Sequence, residues 1–359
     1  AQSVFLPANN GGVLDVSPNV KTVSGGAGSL FAAGADGFGS VSVTPPAFAV
    51  VVKDAQGFAQ TESVSWNAGV TVGGTTTWTA TSAGYPGGAA VLVINADGSY
   101  SFTLNAPVAH GMVLPLLEEN ATLDFGFTVT DGDGDTASGS LAVRVNDDTP
   151  TSALVFVPAT VLDDEAQSAF VPANNGGVFD ANPNVNTVSG SAGALFSMGA
   201  DGLGAIALTL PSFNVLFKDT QGFAQSESVS WSGGVRSENG TTTWTAMSAN
   251  YPGGAAVLVI KADGSYTFTL NAPVDHAVAL PLVEENAFLN IGYTVTDGDG
   301  DQAAGLLTIR VNDDTPTASN VTPAAFDDEA QAIFLPANTG GSGDVSPDIR
   351  EISGGSGAL

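Results

Sequence analysis

The chain has 359 residues, 43% of them apolar, enough to bury a core in each of two or three domains. Its 36 acidic residues face 8 Lys and Arg, a net charge of −28. That balance excludes nucleic acid and anionic lipid as partners, because phosphate contacts need the cations it lacks, and the strands rich in Val, Leu, Phe and Thr exclude disorder.

Cysteine is absent, so disulfides cannot staple the domains and bound metal gains value as a stabiliser. No apolar run approaches membrane-spanning length, so no membrane insertion is expected, and Ala1-Gln2-Ser3 does not read as a signal peptide.

The chain opens on a repeat. Phe5 to Gly12 matches Phe170 to Gly177, an offset of 165, with Val171 for Leu6, and matches Phe334 to Gly341 with one Asn changed to Thr. An insertion between Arg236 and Thr241 moves the later offset to 166. The expected organisation is a first repeat at 1–150, a second at 151–316 and the opening of a third at 317–359. Residues 151–162 read equally as linker or as the first strand of the second repeat. Asp163-Asp164-Glu165-Ala166-Gln167 recurs at Asp327 to Gln331, whereas Ala1-Gln2 has only its tail, so the chain is expected to be a window cut from a longer array.

Within the first repeat, Ser24 to Gly28 and Gly34-Ala35-Asp36-Gly37 are turns whose glycines supply positive φ. Ser40 to Thr44 and Ala47 to Lys53 read as strands broken at Pro45-Pro46, and Ser63 to Trp66 and Thr75 to Thr81 as further short strands. Ala89 to Asn95, Asp97-Gly98 and Ser99 to Leu104 spell a β-hairpin, with Tyr100, Phe102 and Leu104 alternating against Ser99, Ser101 and Thr103. Leu123, Phe125, Phe127 and Val129 line one face of the next strand, and Leu141, Val143 and Val145 its return partner. Nothing reads as a long helix. The predicted fold class is all-β, an antiparallel β-sandwich with Greek-key connections, larger than a minimal sandwich of roughly 100 residues. The surplus is expected within residues 1–80.

The turn between those last strands is Asp131-Gly132-Asp133-Gly134-Asp135, repeated as Asp297-Gly298-Asp299-Gly300-Asp301. The return strands lead to Asn146-Asp147-Asp148 and Asn312-Asp313-Asp314. Carboxylates on alternate residues of a glycine-loosened turn repel one another unless a cation sits among them, and hard oxygen ligands at that density favour calcium. Asp-Gly is also the commonest turn dipeptide, so a solvated hairpin is the plainer reading of one copy; repetition at fixed phase favours metal. The candidate ligands are these residues together with Asp163, Asp164, Glu165, Asp327, Asp328 and Glu329. An EF-hand is ruled out, because loop positions six and twelve hold Thr136 and Ala142, and Gln302 and Thr308, instead of Gly and Glu.

The order DDEAQ, GADG, ADGSYSFTLNAP, TVTDGDGDTASGSL and VNDDTP resembles the tandem extender repeats of giant bacterial adhesins exported by type I secretion, RTX-type relatives of VCBS and cadherin-like repeats. The resemblance implies Ig-like or cadherin-like sandwich domains in a linear array, at a bacterial cell surface outside the cell, supporting adhesion or biofilm formation. GFAQTESVSW and GTTTWTA do not match that pattern. If the turn caps one pole of a domain and the return strand delivers Asn146 to the other, the turn of one repeat meets the Asn-Asp-Asp of the repeat before it. The joint between repeats one and two is then expected to gather Asn146, Asp147, Asp148, Glu118, Glu119, Asp163 to Glu165, Asp297, Asp299 and Asp301, with neighbouring repeats as the partners.

Other chemistry is weaker. His110 and His276 are equivalent, have no second His or Cys near them in sequence, and read as surface or loop histidines. Glu118-Glu119 and Glu284-Glu285 point to opposite strand faces, so they do not form a glycosidase pair, and no enzyme is expected. Trp66, Trp78, Trp231 and Trp244 read as core, with a sugar-stacking platform as the alternative. The rival functions are therefore a carbohydrate- or surface-binding module and a fibre that self-associates laterally.

Overall fold

The computed structural model describes residues 20–110, 120–156, 162–167, 170, 184–237, 240–276, 286–313, 320 and 351–353. The expectations for Glu118, Glu119, Glu284, Glu285, Asp314, Asp327, Asp328 and Glu329, and for the side chain of Glu165, lie outside the described residues.

Two-residue alternation builds the first sheet. In Thr75–Thr81 the side chains of Thr76, Trp78 and Ala80 are buried, and in Ala90–Asn95 those of Ala90, Leu92 and Ile94. The strands pair antiparallel with Trp78 opposite Leu92, and Tyr100–Leu104 follows with Phe102 opposite Leu92. Thr22–Gly25 and Ser65–Trp66 complete the order, and Val70–Val72 also pairs with Thr75–Thr81. The second sheet is Thr136–Val145, Ala121–Asp131 and Phe38–Thr44. Its buried Leu123, Phe125, Phe127 and Val129 share one core with the first sheet, so the pair is a sandwich. Phe125 packs on Phe102 at 5.3 Å between ring centroids and meets Trp66 edge-on at 5.6 Å.

The surplus over a minimal sandwich is a separate hairpin, Ala49–Lys53 with Ala59–Ser63. The run read from sequence as Ser63 to Trp66 is thus split between two sheets, where Val64 N–H donates to Phe48 O and the chain changes partners. In the hairpin turn Asp54 Oδ1 accepts from Gln56 N–H and Phe58 N–H at 2.9 and 2.8 Å, with Gly57 at φ 88°.

The same arrangement recurs. Thr187–Gly190, Tyr266–Leu270, Ala256–Lys261, Thr241–Met247 and Ser230–Trp231 form one sheet, and Gln302–Asn312, Asn286–Asp297 and Leu203–Thr209 the facing one. Asn214–Lys218 with Ala224–Ser228 repeats the hairpin. Residues 151–156 belong to this second unit: Thr151–Ser152 pairs with Phe196–Ser197, and Leu154–Phe156 runs parallel to Leu306–Thr308. Leu162–Asp163 is also parallel, against Val311–Asn312, so this sheet is mixed where a wholly antiparallel one was expected. Tyr293, which stands where the first unit has Phe127, anchors the added segment by donating to Ala153 O at 2.7 Å.

The tryptophans are structural. Trp78 and Trp244 are buried, and half-buried Trp66 and Trp231 donate their indole N–H to Pro46 O and Pro211 O at 3.0 and 2.9 Å.

The Asp97-Gly98 turn gives a local test. Gly98 has φ 75°, and a Cβ there would lie 2.2 Å from Phe31 O. Gly98→Ala should destabilise the first unit by at least about 1–2 kcal/mol, the cost of the left-handed conformation alone. Gly26→Ala, where a Cβ meets nothing within 4 Å, should not. Denaturant midpoints of the two variants check this.

Candidate metal centre at the junction of the repeats

The DGDGD turn folds on its own first carboxylate. Asp297 Oδ1 accepts from Gly300 N–H and Asp301 N–H at 3.0 and 2.8 Å, and Asp131 Oδ1 does the same from Gly134 and Asp135. Gly300 and Gly134 take φ values of 122° and 107° that close the turn. Each turn lies against the Gly-Ala-Asp-Gly loop ahead of it: Gly132 N–H donates to Gly37 O, and a Cβ on Gly298 would lie 2.5 Å from Asp201 O. Asp36, Asp131 and Asp133 therefore form one group, and Asp201, Asp297 and Asp299 its counterpart, with oxygens within 4.8 Å of one another.

The second of these groups sits in the joint. Asp148 Oδ2 accepts from Ala200 N–H at 2.7 Å, which ties the linker to the Gly-Ala-Asp-Gly loop of the second unit. Asp147 Oδ1 accepts from Asp148 N–H at 2.8 Å and lies 3.0 Å from His110 Nδ1. That nitrogen is 3.6 Å from Asp299 Oδ2, and His110 N–H donates to the same oxygen at 3.1 Å. Asn146 Nδ2 donates to Asp147 O, holding the linker turn. The joint thus brings Asp147 and Asp148 from the linker together with Asp201, Asp297, Asp299 and Asp301 of the second unit. Asp131, Asp133 and Asp135 lie instead at the far pole of the first unit, half-buried to exposed.

Burial makes this costly. Asp147, Asp201, Asp297 and Asp301 are each at most 4% exposed. Two carboxylates 4 Å apart repel by about 4 kcal/mol near a protein surface, and more when buried. Desolvation, reinforced by Asp299 and Asp297 and then by Asp147 and Asp148, pushes Asp201 far above the usual carboxylate range. Desolvation and the charge of Asp299 push Asp297 up to about 10. Burial also raises Asp299, yet hydrogen bonds from His110 and Asp297 hold it below its ordinary value. Burial pulls His110 down, but hydrogen bonds and charge from Asp147 and Asp299 outweigh it and raise the imidazole to about 9.

The far pole of the second unit repeats the other half of the joint. Asp164 accepts from Val274 N–H at 3.1 Å and lies 3.1 Å from His276 Nε2, and Asp313 completes the group. Asn312 Nδ2 donates to Asp313 O as Asn146 does to Asp147. Two expectations are corrected here. Asp163 and Asp164 are not in the joint between the first two repeats: Leu162–Asp163, with Asp164 directly after it, pairs in parallel with Val311–Asn312, at the opposite end of a 12-residue strand pair, about 35 Å from the Asp297 turn. His110 and His276 lie in loops, one of the two alternatives expected, but not at the surface: their side chains are 6% and 5% exposed among the acids. Asp36 and Asp201 are members of these groups that were not among the expected ligands, although their loop recurs letter for letter.

The donor set fits a hard divalent cation. Oxygens bound to one calcium at 2.3–2.6 Å lie at most about 5 Å apart, which the Asp201, Asp297 and Asp299 oxygens satisfy. Asp297 Oδ2 is buried and has no hydrogen-bond donor among the described residues.

No protein-family profile matches the chain, and no curated protein matches it. Among solved structures, one described as "Structural insight into host cell surface retention of a 1.5-MDa bacterial ice-binding adhesin" is similar over 77% of this chain and 98% of its own, at 12% identity and a TM-score of 0.13. A likeness that slight carries no argument about fold or function.

The raised values set a pH dependence. His110 and Asp297 both bind protons more tightly folded than unfolded, so their contribution is fully present below the unfolded values of about 6.5 and 3.9 and is lost as pH rises toward about 9 and about 10. In chelator, the melting temperature of the joint should fall between pH 5 and pH 9, and His110→Gln should flatten the part above pH 6.5. Melting followed by calorimetry across that range checks both.

Proposed function

We propose that the chain is part of the extender region of a secreted bacterial cell-surface adhesin, in which β-sandwich repeats stand in series and calcium stiffens each joint. The observation that carries this reading is the group of buried carboxylates drawn from both sides of one joint, with its two halves repeated at the outer poles as Asp36, Asp131 and Asp133 and as Asp164, His276 and Asp313. With 8 Lys and Arg for 36 acids, the chain is short of internal cations to match them. Asp201, Asp297, Asp299 and Asp301, with Asp147 from the linker, would hold the ion. It supplies the positive charge that turns repulsion between the units into attachment. The same logic extends the array at Asn312 and Asp313. The resemblance of the DGDGD and NDDTP segments to adhesin extender repeats supports the extracellular setting and a role in adhesion. The burial of Trp78 and Trp244, and the indole hydrogen bonds of half-buried Trp66 and Trp231 to backbone, weigh against a glycan-stacking platform.

Calcium at 100 times its dissociation constant should stabilise the joined state by about 2.7 kcal/mol. Small-angle scattering and melting of the whole chain should therefore report a longer, stiffer and more stable particle in millimolar calcium than in chelator. Asp297→Asn/Asp299→Asn should lose the difference. An identical particle in both conditions would sink the calcium reading.

A further inference from the structure

The joint also contains a contact that needs no metal. Phe58, at the end of the Asp54 turn in the first unit, is fully buried within a hydrophobic cluster whose other members all come from the second unit. The Arg236 guanidinium lies 4.0 Å from its ring centroid, and Arg236 Nη2 donates to Gly204 O at 2.8 Å, which fixes the cation over the ring. Around the plug the fit is close. A Cβ on Gly298 would lie 2.7 Å from Ala59 Cβ and 2.9 Å from Val51 Cγ1, and one on Gly240 3.3 Å from Gln56 O.

The molecule holds its own control. Phe223 is the same residue of the same turn in the second unit, where Asp219 Oδ1 accepts from Gln221 and Phe223 N–H as Asp54 does in the first. Phe223 is nevertheless 69% exposed. The turn does not bury its phenylalanine; the repeat that follows does. Around it, Ala224 is exposed where Ala59 is buried, and exposed Asp275 stands where the first unit has Ala109. The socket differs between copies as well, since the position of Arg236 is occupied by Thr71 in the first unit.

We propose that the Asp54–Phe58 turn is a plug received by an Arg-bearing socket on the next repeat, and that Phe223 is a docking face for a further copy of the repeat with a basic residue at the Arg236 position. The occupant follows from Phe58, which the next repeat covers, and an added carboxylate at Asp275 favours a cationic socket. The docking of Phe223 rests on the reading of repeats in series; the Phe58 plug does not, and it holds whether or not calcium is bound.

The absence of cysteine allows spin labels at Ser42→Cys and Ala207→Cys, exposed equivalent positions on the two units. Their distance distribution in the whole chain should be narrow in calcium and only partly broadened in chelator. Phe58→Ala or Arg236→Thr should at least double its width in chelator, and Phe58→Trp should restore it. Identical widths for native chain and Phe58→Ala in chelator would overturn the plug, whereas a native chain indifferent to chelator would count only against calcium. For the outer face, sedimentation in calcium should show Thr71→Arg chains associating head to tail at least tenfold more tightly than native ones, an effect abolished by Phe223→Ala. Association no tighter than native, or one that survives Phe223→Ala, would overturn the docking face.

Discussion

Negative charge buried where two domains meet is the constraint on which this structure depends. Asp147, Asp201, Asp297 and Asp301 are almost wholly removed from solvent, and their mutual repulsion must be answered or the joint opens. Without metal the answer is protons: Asp297 is pushed up to about 10, and His110 holds a proton between Asp147 and Asp299. On the proposed reading, a divalent ion in a neutral, calcium-rich medium would answer the same repulsion with more contacts and a fixed geometry.

The sandwich places these charges. Asn286–Asp297 and Gln302–Asn312 pair over their whole length, so the DGDGD turn caps one end and Asn312 with Asp313 leaves from the other. Each unit is therefore a rod with complementary poles: a turn and a Gly-Ala-Asp-Gly loop at one, and an Asn-Asp linker, a histidine and a phenylalanine-tipped hairpin at the other. Stacking such rods brings unlike poles together. With an ion bound, the carboxylates would supply one contact, and Phe58 under Arg236 supplies another that needs no ion.

Much of the fold was legible because it is local. Period-two alternation marked the hairpin around Asp97-Gly98 to within a residue, Thr75–Thr81 was read as a short strand with its observed bounds, and the DGDGD turn announced its own acids. What could not be read was non-local. Asp163 was assigned to the wrong pole because parallel pairing to Val311–Asn312, about 150 residues away, leaves no periodic mark. His110 looked isolated because its partners, Asp147 and Asp299, come from the linker and from another domain. Asp36 and Asp201 were within reach, since a repeated Gly-Ala-Asp-Gly needs its glycines for the turn but not its aspartate. The plug role of Phe58 was visible only by setting it beside exposed Phe223.

The central claim is that one cation is shared across the joint. A crystal structure of the chain grown in millimolar calcium, with the ion located by anomalous scattering, tests it most directly. The account predicts a peak among Asp201, Asp297, Asp299 and Asp301, with Asp147 of the linker in its coordination. A peak held wholly by the DGDGD turn of one unit, or a joint with no cation peak in millimolar calcium, would contradict it.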